Sequence, residues 1–396
     1  MKILLLLSIG SLLYATPPKK ITVSTKNTLN QERYDALIRI PKDKIPRSLH
    51  LLNFIILDKE TETPFQAEDV DGDGNWDNIL LVSNYKAKET KLFVLKKTNI
   101  PKIYTKATDV YFGVGNTQKN VKEVQKYSRK KDKPNKKFFQ MEGPAWENDK
   151  VGYRMYFDTR NCIDIFGKTT NKLMLSKVGI GVLKNYHQRK KWGMDVLKVK
   201  KSLGAGAIAL KSKEKFLRIK GEHNTVFKTL EEGPIKASFI MEYKGVGFKG
   251  KQIEVQHKIS IYKGQYYYVS DVMFSKKSNH VNLVAGIVNL KNNKVWTYES
   301  DQMFVLSSYG KQSENNDNLG MALLVDKKHK LGFGKINNTQ DISNSHYLEM
   351  KIKRKFNRFY FVSGWELSDK NFSNQERFTL SLKTIANEIA NPVLIL

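Results

Sequence analysis

Apolar residues recur at alternate positions in one short run after another, and Gly, Pro, Asn or Asp closes each run. RYDALIRIP, NFIILDK, DNILLVSNY and TKLFVLKK lie in the first hundred residues; KASFIMEYKGV, KQIEVQHKISIY, QYYYVSDVMF, VNLVAGIVNL and NRFYFVSGWEL follow. Successive side chains of a strand point to opposite faces, so a period of two is what a half-buried strand requires. No long segment shows helical periodicity. A chain of this kind must close as packed β-sheets, and its strands are too many for one small barrel. The expected fold is mainly β: a large antiparallel β-sandwich over residues 141–396 and a smaller N-terminal β domain over residues 19–105. Residues 106–140 read as a linker with a lysine-rich loop, because KYSRKKDKPNKK (Lys126 to Lys137) is polar and carries Pro134.

The opening MKILLLLSIGSLLYAT has one Lys, an unbroken apolar run and a small residue at Ala15. It reads as a signal peptide, residues 1–15, cut after Ala15. The run is short for a bilayer span and no later segment is long and apolar enough, so a secreted protein, periplasmic or extracellular, is expected without a membrane span. Cys162 is the only cysteine. An internal disulfide is therefore excluded, and core burial must hold the fold. The formal net charge of +29 favours anionic partners. Only 11 of the 68 basic residues are Arg, so Lys carries the excess, and a total does not say where charges sit. The lysine-rich run lacks the interleaved aromatics of a nucleic-acid groove. Acidic oligosaccharide or polysaccharide is the expected partner, and nucleic acid is not.

Three stretches carry chemistry. In DVDGDGNWD, Asp69, Asp71, Asp73, Asn75 and Asp77 alternate through a Gly-rich turn, and short oxygen-bearing side chains are what calcium requires. Leu80 stands where an EF-type loop needs its last carboxylate, and no helix precedes it. The stretch is either a hairpin turn with an acidic tip or a turn clamped by a structural calcium; no cofactor is otherwise required. In EGPAWENDKVGYRMYFDTRNCIDIFGK, strand alternation sets Arg154, Tyr156, Asp158 and Arg160 on one face and Tyr153, Met155 and Phe157 on the other. An ionic face of this kind suits a solvent-filled groove, with Trp146, Glu147 and Asp149 in a loop above it. In YHQRKKWGMDVLKVKKSLGAGAIAL, His187, Trp192, Asp195 and Lys198 fall among glycines. Histidine is the natural proton shuttle near neutral pH, and an indole face stacks on a sugar ring. His257 shares its strand face with Ile253, Val255, Ile259 and Ile261, the pattern of a core histidine, although it could also point into a groove. Trp365 and Glu366 form a further indole–carboxylate pair. GxSxG, HExxH, Walker and CxxC motifs are all missing, and Cys162 among Ile163, Ile165 and Phe166 reads as packing.

The strings GPAWENDKVGYRMYFD, NCIDIFGK, WGMDVLKVKKSLGAG and LSSYGKQSENNDNLGMALL, with DVDGDGNWD and VSGWELS, resemble a bacterial family of secreted proteins labelled domain of unknown function 4861. The resemblance covers nearly the whole mature chain. It implies a galactose-mutarotase-like supersandwich and a place beside polysaccharide-degrading enzymes that handle uronate-containing glycans. It brings no catalytic roles. The residue types fit three reactions. Epimerisation would use His187 or His257 with Glu147. β-Elimination would use Arg154 or Lys198 to neutralise a carboxylate and His187 or Tyr156 as base. Hydrolysis would use Glu147 and Asp195 as flanking carboxylates. The alternative is a non-catalytic glycan-binding protein with Trp146, Trp192 and Trp365 as stacking platforms.

Overall fold

The structure is a computed structural model that describes residues 20–115, 117–126, 139–219, 223–248, 251–275, 281–352 and 357–396. The signal-peptide reading on residues 1–15 and positions 127–137 of the lysine-rich run lie outside the described residues.

One hydrophobic core joins three sheets. The largest is nine-stranded and antiparallel, in the order Glu123–Lys126, His223–Glu231, Lys236–Phe248, Lys251–Tyr262, Tyr267–Phe274, Asn357–Trp365, Leu319–Asp326, Met303–Gly310, Val295–Glu299. Facing it are two five-stranded sheets. One runs Gly193–Asp195, Ile163–Lys168, Val151–Met155, Ala145–Asn148, Thr108–Tyr111; the other runs Lys215–Arg218, Ala205–Ser212, Asn282–Val288, Ser343–Lys351, Lys330–Asn338. Alternation delivers Phe239, Ile259, Tyr268 and Phe361 of the large sheet against Trp146, Tyr153 and Ile165 of one partner and Ile208, Leu283 and Leu348 of the other. Two layers closed over one apolar interior are a β-sandwich.

The N-terminal strands make a second, smaller β unit with its own core of Ile38, Ile40, Phe54, Ile56, Phe93 and Leu95. Its five-stranded sheet ends in Leu394–Ile395, so the C-terminal strand of the chain pairs with Lys20–Lys26. Leu80 and Val82 point away from this core. They pack with Ile235, Tyr262 and Val269 and seat the unit on the outer face of the nine-stranded sheet.

Two segments differ from the expectation. The presumed linker contributes Thr108–Tyr111 and Glu123–Lys126, which pair with Ala145–Asn148 and His223–Glu231. Each is only four residues long and sits among lysines, so composition hides its alternation. Gln375–Ala390 is an α-helix, capped by Asn374, whose side chain accepts from the Arg377 amide. Only Phe378, Leu382 and Ala386, four apart, are buried; they cover Met303, Val305, Leu324 and Val362 on the same outer face. Phe378, Leu382, Ile385, Ala386 and Ile389 recur at helical spacing, but the stripe is confined to one 16-residue helix at the end of a chain otherwise patterned with a period of two.

Candidate functional site

In Val151–Met155, Tyr153 and Met155 enter the core and Arg154 stands on the outer face of its sheet. Asp164, opposite Arg154 in register, shares that face because Ile163 and Ile165 take the inner one. Asp195 arrives on the neighbouring strand opposite Phe166. This last approach needs Gly193: its φ is 131°, and a Cβ there would lie 1.8 Å from the Gly167 carbonyl oxygen.

The outer face is roofed. After Lys168 the chain folds back, and the Met174 and Leu175 amides each donate to Glu147 Oε1 at 2.6 Å. Gln140 Nε2 donates to the Ser176 and Val178 carbonyls at 3.1 and 2.6 Å. Met141, Ala145, Phe166, Leu175, Val178 and Trp192 form a small apolar cluster under this roof. The expected open groove is therefore mostly closed: the Arg154, Asp164 and Asp195 side chains are each 1% exposed.

Buried charge persists only when paired and hydrogen-bonded. Arg154 Nη2 donates to Asp164 Oδ2 at 2.8 Å, Asp195 Oδ2 at 2.9 Å and the Tyr156 hydroxyl at 2.6 Å. Its Nη1 donates to the Met141 carbonyl at 2.9 Å and the Tyr186 hydroxyl at 3.0 Å. The Tyr156 hydroxyl in turn donates to Asp164 Oδ2 at 3.0 Å. The Tyr156 ring lies between two guanidiniums, with Arg154 4.4 Å and Arg160 3.8 Å from its centroid. Burial opposes the Arg154 charge, but Asp195, Tyr156 and Asp164 outweigh it and hold its pKa above the ordinary range. Burial first, and then the neighbouring Asp164 carboxylate, push the Asp195 pKa well above the usual carboxylate range. Asp195 thus keeps a proton that an exposed aspartate would lose.

The network reaches the surface at His187. Its side chain is 60% exposed, its Nδ1 is 3.5 Å from Asp195 Oδ2, and its ring packs on Tyr186 with centroids 4.5 Å apart. Burial, then the Arg154 charge, lower its pKa below the ordinary histidine value of 6.5, so the imidazole is neutral at neutral pH. Glu142 lies beside it, 3.8 Å from Arg154 and 3.3 Å from the part-exposed Arg160. On the other side Lys198, 60% exposed, pairs with Glu314 at 3.5 Å, and Glu314 is near enough for its charge to act on His187.

Arg154, Tyr156, His187 and Asp195 therefore meet, and Lys198 is linked to them only through Glu314. Glu147 does not join them: its Oε2 is 2.6 Å from Lys168 Nζ in a sealed ion pair. Glu147, Gly152, Phe166 and Asp195 are aligned in register across four strands, which separates their backbones by three strand spacings, roughly 14 Å. Carboxylates that flank one glycosidic bond stand about 5 to 9.5 Å apart. Trp146 is buried against Tyr153, Phe239 and Tyr268 because its strand position faces the core. Trp192 is buried in the roof, and Trp365 packs on Gly167 with its Nε1 donating to Asp317 at 2.6 Å. None of the three indoles presents a face to a sugar. His257 is fully buried with its Nε2 2.5 Å from Ser270 Oγ, and burial lowers its pKa to about 3; it is a core histidine. Cys162 is buried and its thiol is pushed up to about 12 by burial, so it is packing. Asp164, Tyr186 and Glu142 were missed as site residues. The Ile163–Asp164–Ile165 alternation carried a signal for the first, whereas Tyr186 lies in irregular backbone with no period to read.

The acidic stretch is the loop of the hairpin formed by Phe65–Glu68 and Asn78–Tyr85. Carboxylate oxygens of Asp69, Asp71 and Asp77 lie within 4.8 Å of one another, an arrangement able to hold a metal ion. Asp73 is not in this group; its Oδ2 accepts from Asn75 Nδ2 at 3.2 Å on the exposed side. Backbone amides of Gly72 and Gly74 donate to Asp69 at 2.7 and 2.9 Å, so local turn chemistry also stabilises the loop.

These features define a mainly β protein, a β-sandwich with a buried Arg–Asp–Asp network opening at one histidine. The chain belongs to the family described as Domain of unknown function (DUF4861), which matches residues 25–395. No curated protein matches it. Among solved structures, a glycosyl hydrolase family 38 protein from Enterococcus faecalis is similar over 96% of this chain at 9% identity and a TM-score of 0.43. An alpha-mannosidase from the same organism is similar over 96% at 9% identity and a TM-score of 0.40. The chain spans about half the length of these two proteins, 47% and 46%. Among the described residues, no helix is long and apolar enough to cross a membrane.

Proposed function

We propose that the protein is a secreted carbohydrate-active enzyme, built on a galactose-mutarotase-like supersandwich, that removes a proton from the uronate unit of an acidic oligosaccharide. The carrying observation is an exposed, neutral imidazole seated on a buried acid network: His187 above Asp195, Asp164 and Arg154. The C–H beside a uronate carboxylate is the acidic bond of such a sugar. His187 accepts that proton on Nε2, the ring nitrogen turned from Asp195. Arg160 or Lys198 pairs with the substrate carboxylate and stabilises the charge that develops on it. The electron pair then either expels the oxygen at the next carbon, which takes up a proton, or recaptures a proton on the opposite ring face. The first outcome is β-elimination and the second is epimerisation. Hydrolysis by Glu147 and Asp195 is disfavoured by their separation. The binding-protein alternative loses support because Trp146, Trp192 and Trp365 are at most 5% exposed. A structural calcium at Asp69, Asp71 and Asp77 belongs to the same reading.

The test is incubation with a panel of saturated and unsaturated uronate oligosaccharides, followed by mass, ultraviolet absorbance and NMR. A new double bond or an inverted centre is expected. Binding with no chemical change in any member of the panel would overturn the enzyme reading.

A further inference from the structure

The strand Lys251–Tyr262 sends His257, Ile259 and Ile261 inward, so Lys258, Ser260 and Tyr262 stand on the outer face of the nine-stranded sheet. The docked N-terminal unit leaves a cleft of about 380 Å³ above them. That volume falls in the range of small-ligand sites, about 300–1,000 Å³. Four cations line it: Arg39 from the N-terminal unit, and Lys236, Lys258 and Arg358 from the sheet. Three are neutralised. Arg39 Nε is 3.0 Å from Glu68, Lys236 Nζ is 2.8 Å from Glu68 and 2.5 Å from Glu231, and Arg358 grips Asp271 with two hydrogen bonds of 2.7 and 2.8 Å. Lys258 is left over. Half-buried, it has no hydrogen bond or ion pair among the described residues; Glu68, Glu231 and Asp271, whose charges act on it, are each held by another cation, and Asp69 of the acidic hairpin loop is near enough for its charge to be felt but forms no ion pair with it. Burial, and then the Lys236 charge, draw its pKa below that of an ordinary lysine. An anion entering the cleft would offset both effects.

We propose that this cleft binds the anionic group of an acidic sugar, a carboxylate or a sulfate ester, with Lys258 as its pairing cation and Ser260 offering a hydroxyl on the same face. It is a second site. It lies on the outer face of the nine-stranded sheet, whereas His187 and Asp195 lie on the outer face of the sheet opposite. It deepens the acidic-glycan reading but does not depend on proton transfer.

Calorimetric titration of the full chain tests it, with digalacturonate, a sulfated disaccharide and maltose as probes and His187→Ala as the background, so that turnover does not intervene. One or both acidic probes bind and maltose does not; digalacturonate alone assigns a carboxylate, the sulfated sugar alone a sulfate. Adding Lys258→Gln weakens that binding about ten-fold or more, the size of one lost charge-assisted hydrogen bond, and Lys258→Arg restores much of it. Thermal unfolding of Lys258→Gln stays nearly unchanged, because the ammonium makes no hydrogen bond or ion pair that the substitution would break. Equal affinity with and without the Lys258 ammonium, equal binding of maltose, or no binding of either acidic probe would overturn the proposal. Loss of binding in Lys258→Gln supports the cleft even if the wild-type protein leaves every oligosaccharide chemically intact.

Discussion

Arg154 is the residue on which the candidate site turns. Its guanidinium holds two carboxylates that are 1% exposed, and removing one partner of such a group leaves uncompensated buried charge. Arg154→Met should lower unfolding free energy by about 3–5 kcal/mol in urea titration, and a loss under about 1 kcal/mol would mean the acids have other support. Asp195 gives a pH signature. Its folded pKa is raised above the ordinary value of 3.8, so the folded state keeps a proton that the unfolded chain releases. Its contribution to stability is then complete below pH 3.8 and is lost as pH rises through the folded pKa. Asp195→Asn, measured by urea unfolding across that window, should decline less with rising pH than wild type; parallel curves would contradict the shift. Arg154, Tyr156, His187 and Asp195 were legible as residue types in two suspicious stretches. Which acid meets Arg154 was not, because Asp164 and Asp195 reach it from 10 and 41 residues away, and strand register decides that.

At the scale of elements, alternation was a strong guide. Arg33–Pro41, Thr90–Lys97 and Lys251–Tyr262 coincide with apolar-alternating runs, since each buries one face. It failed where both faces are covered. Ala145–Asn148 and Val151–Met155 are buried throughout, because the segment after Lys168 roofs their outer side, and nothing in their own residues announces a roof. The three tryptophans were misjudged for the same reason: an indole beside charges reads as a sugar platform until a second layer covers it. The acidic hairpin loop carries its own expectation. Calcium bridging Asp69, Asp71 and Asp77 would bind the folded state and raise Tm with the logarithm of its concentration above Kd, and EDTA would reverse the gain. Identical melting curves with millimolar calcium and with EDTA would leave the loop as a turn held by its own amides.

For the molecule as a whole, the sandwich and the smaller N-terminal unit follow from strand number and burial, but their docking does not. Leu80 and Val82 pack across to Tyr262 and Val269 on the far side of a strand whose other face serves the N-terminal core, and the same docking creates the cationic cleft at Lys258. The net charge of +29 favours an anionic partner without locating it. The two proposals lie on different outer faces, proton transfer at His187 on one and anion binding at Lys258 on the other. The most direct measurement of the central claim is proton NMR of a uronate oligosaccharide incubated in D2O with wild-type protein and with His187→Ala. The account predicts that wild type removes the signal of the hydrogen beside the carboxylate, by exchange with deuterium or by forming a double bond, and that His187→Ala, folded and with an unchanged Tm, leaves it intact. An undiminished signal with wild type, or equal loss in both proteins, would contradict it.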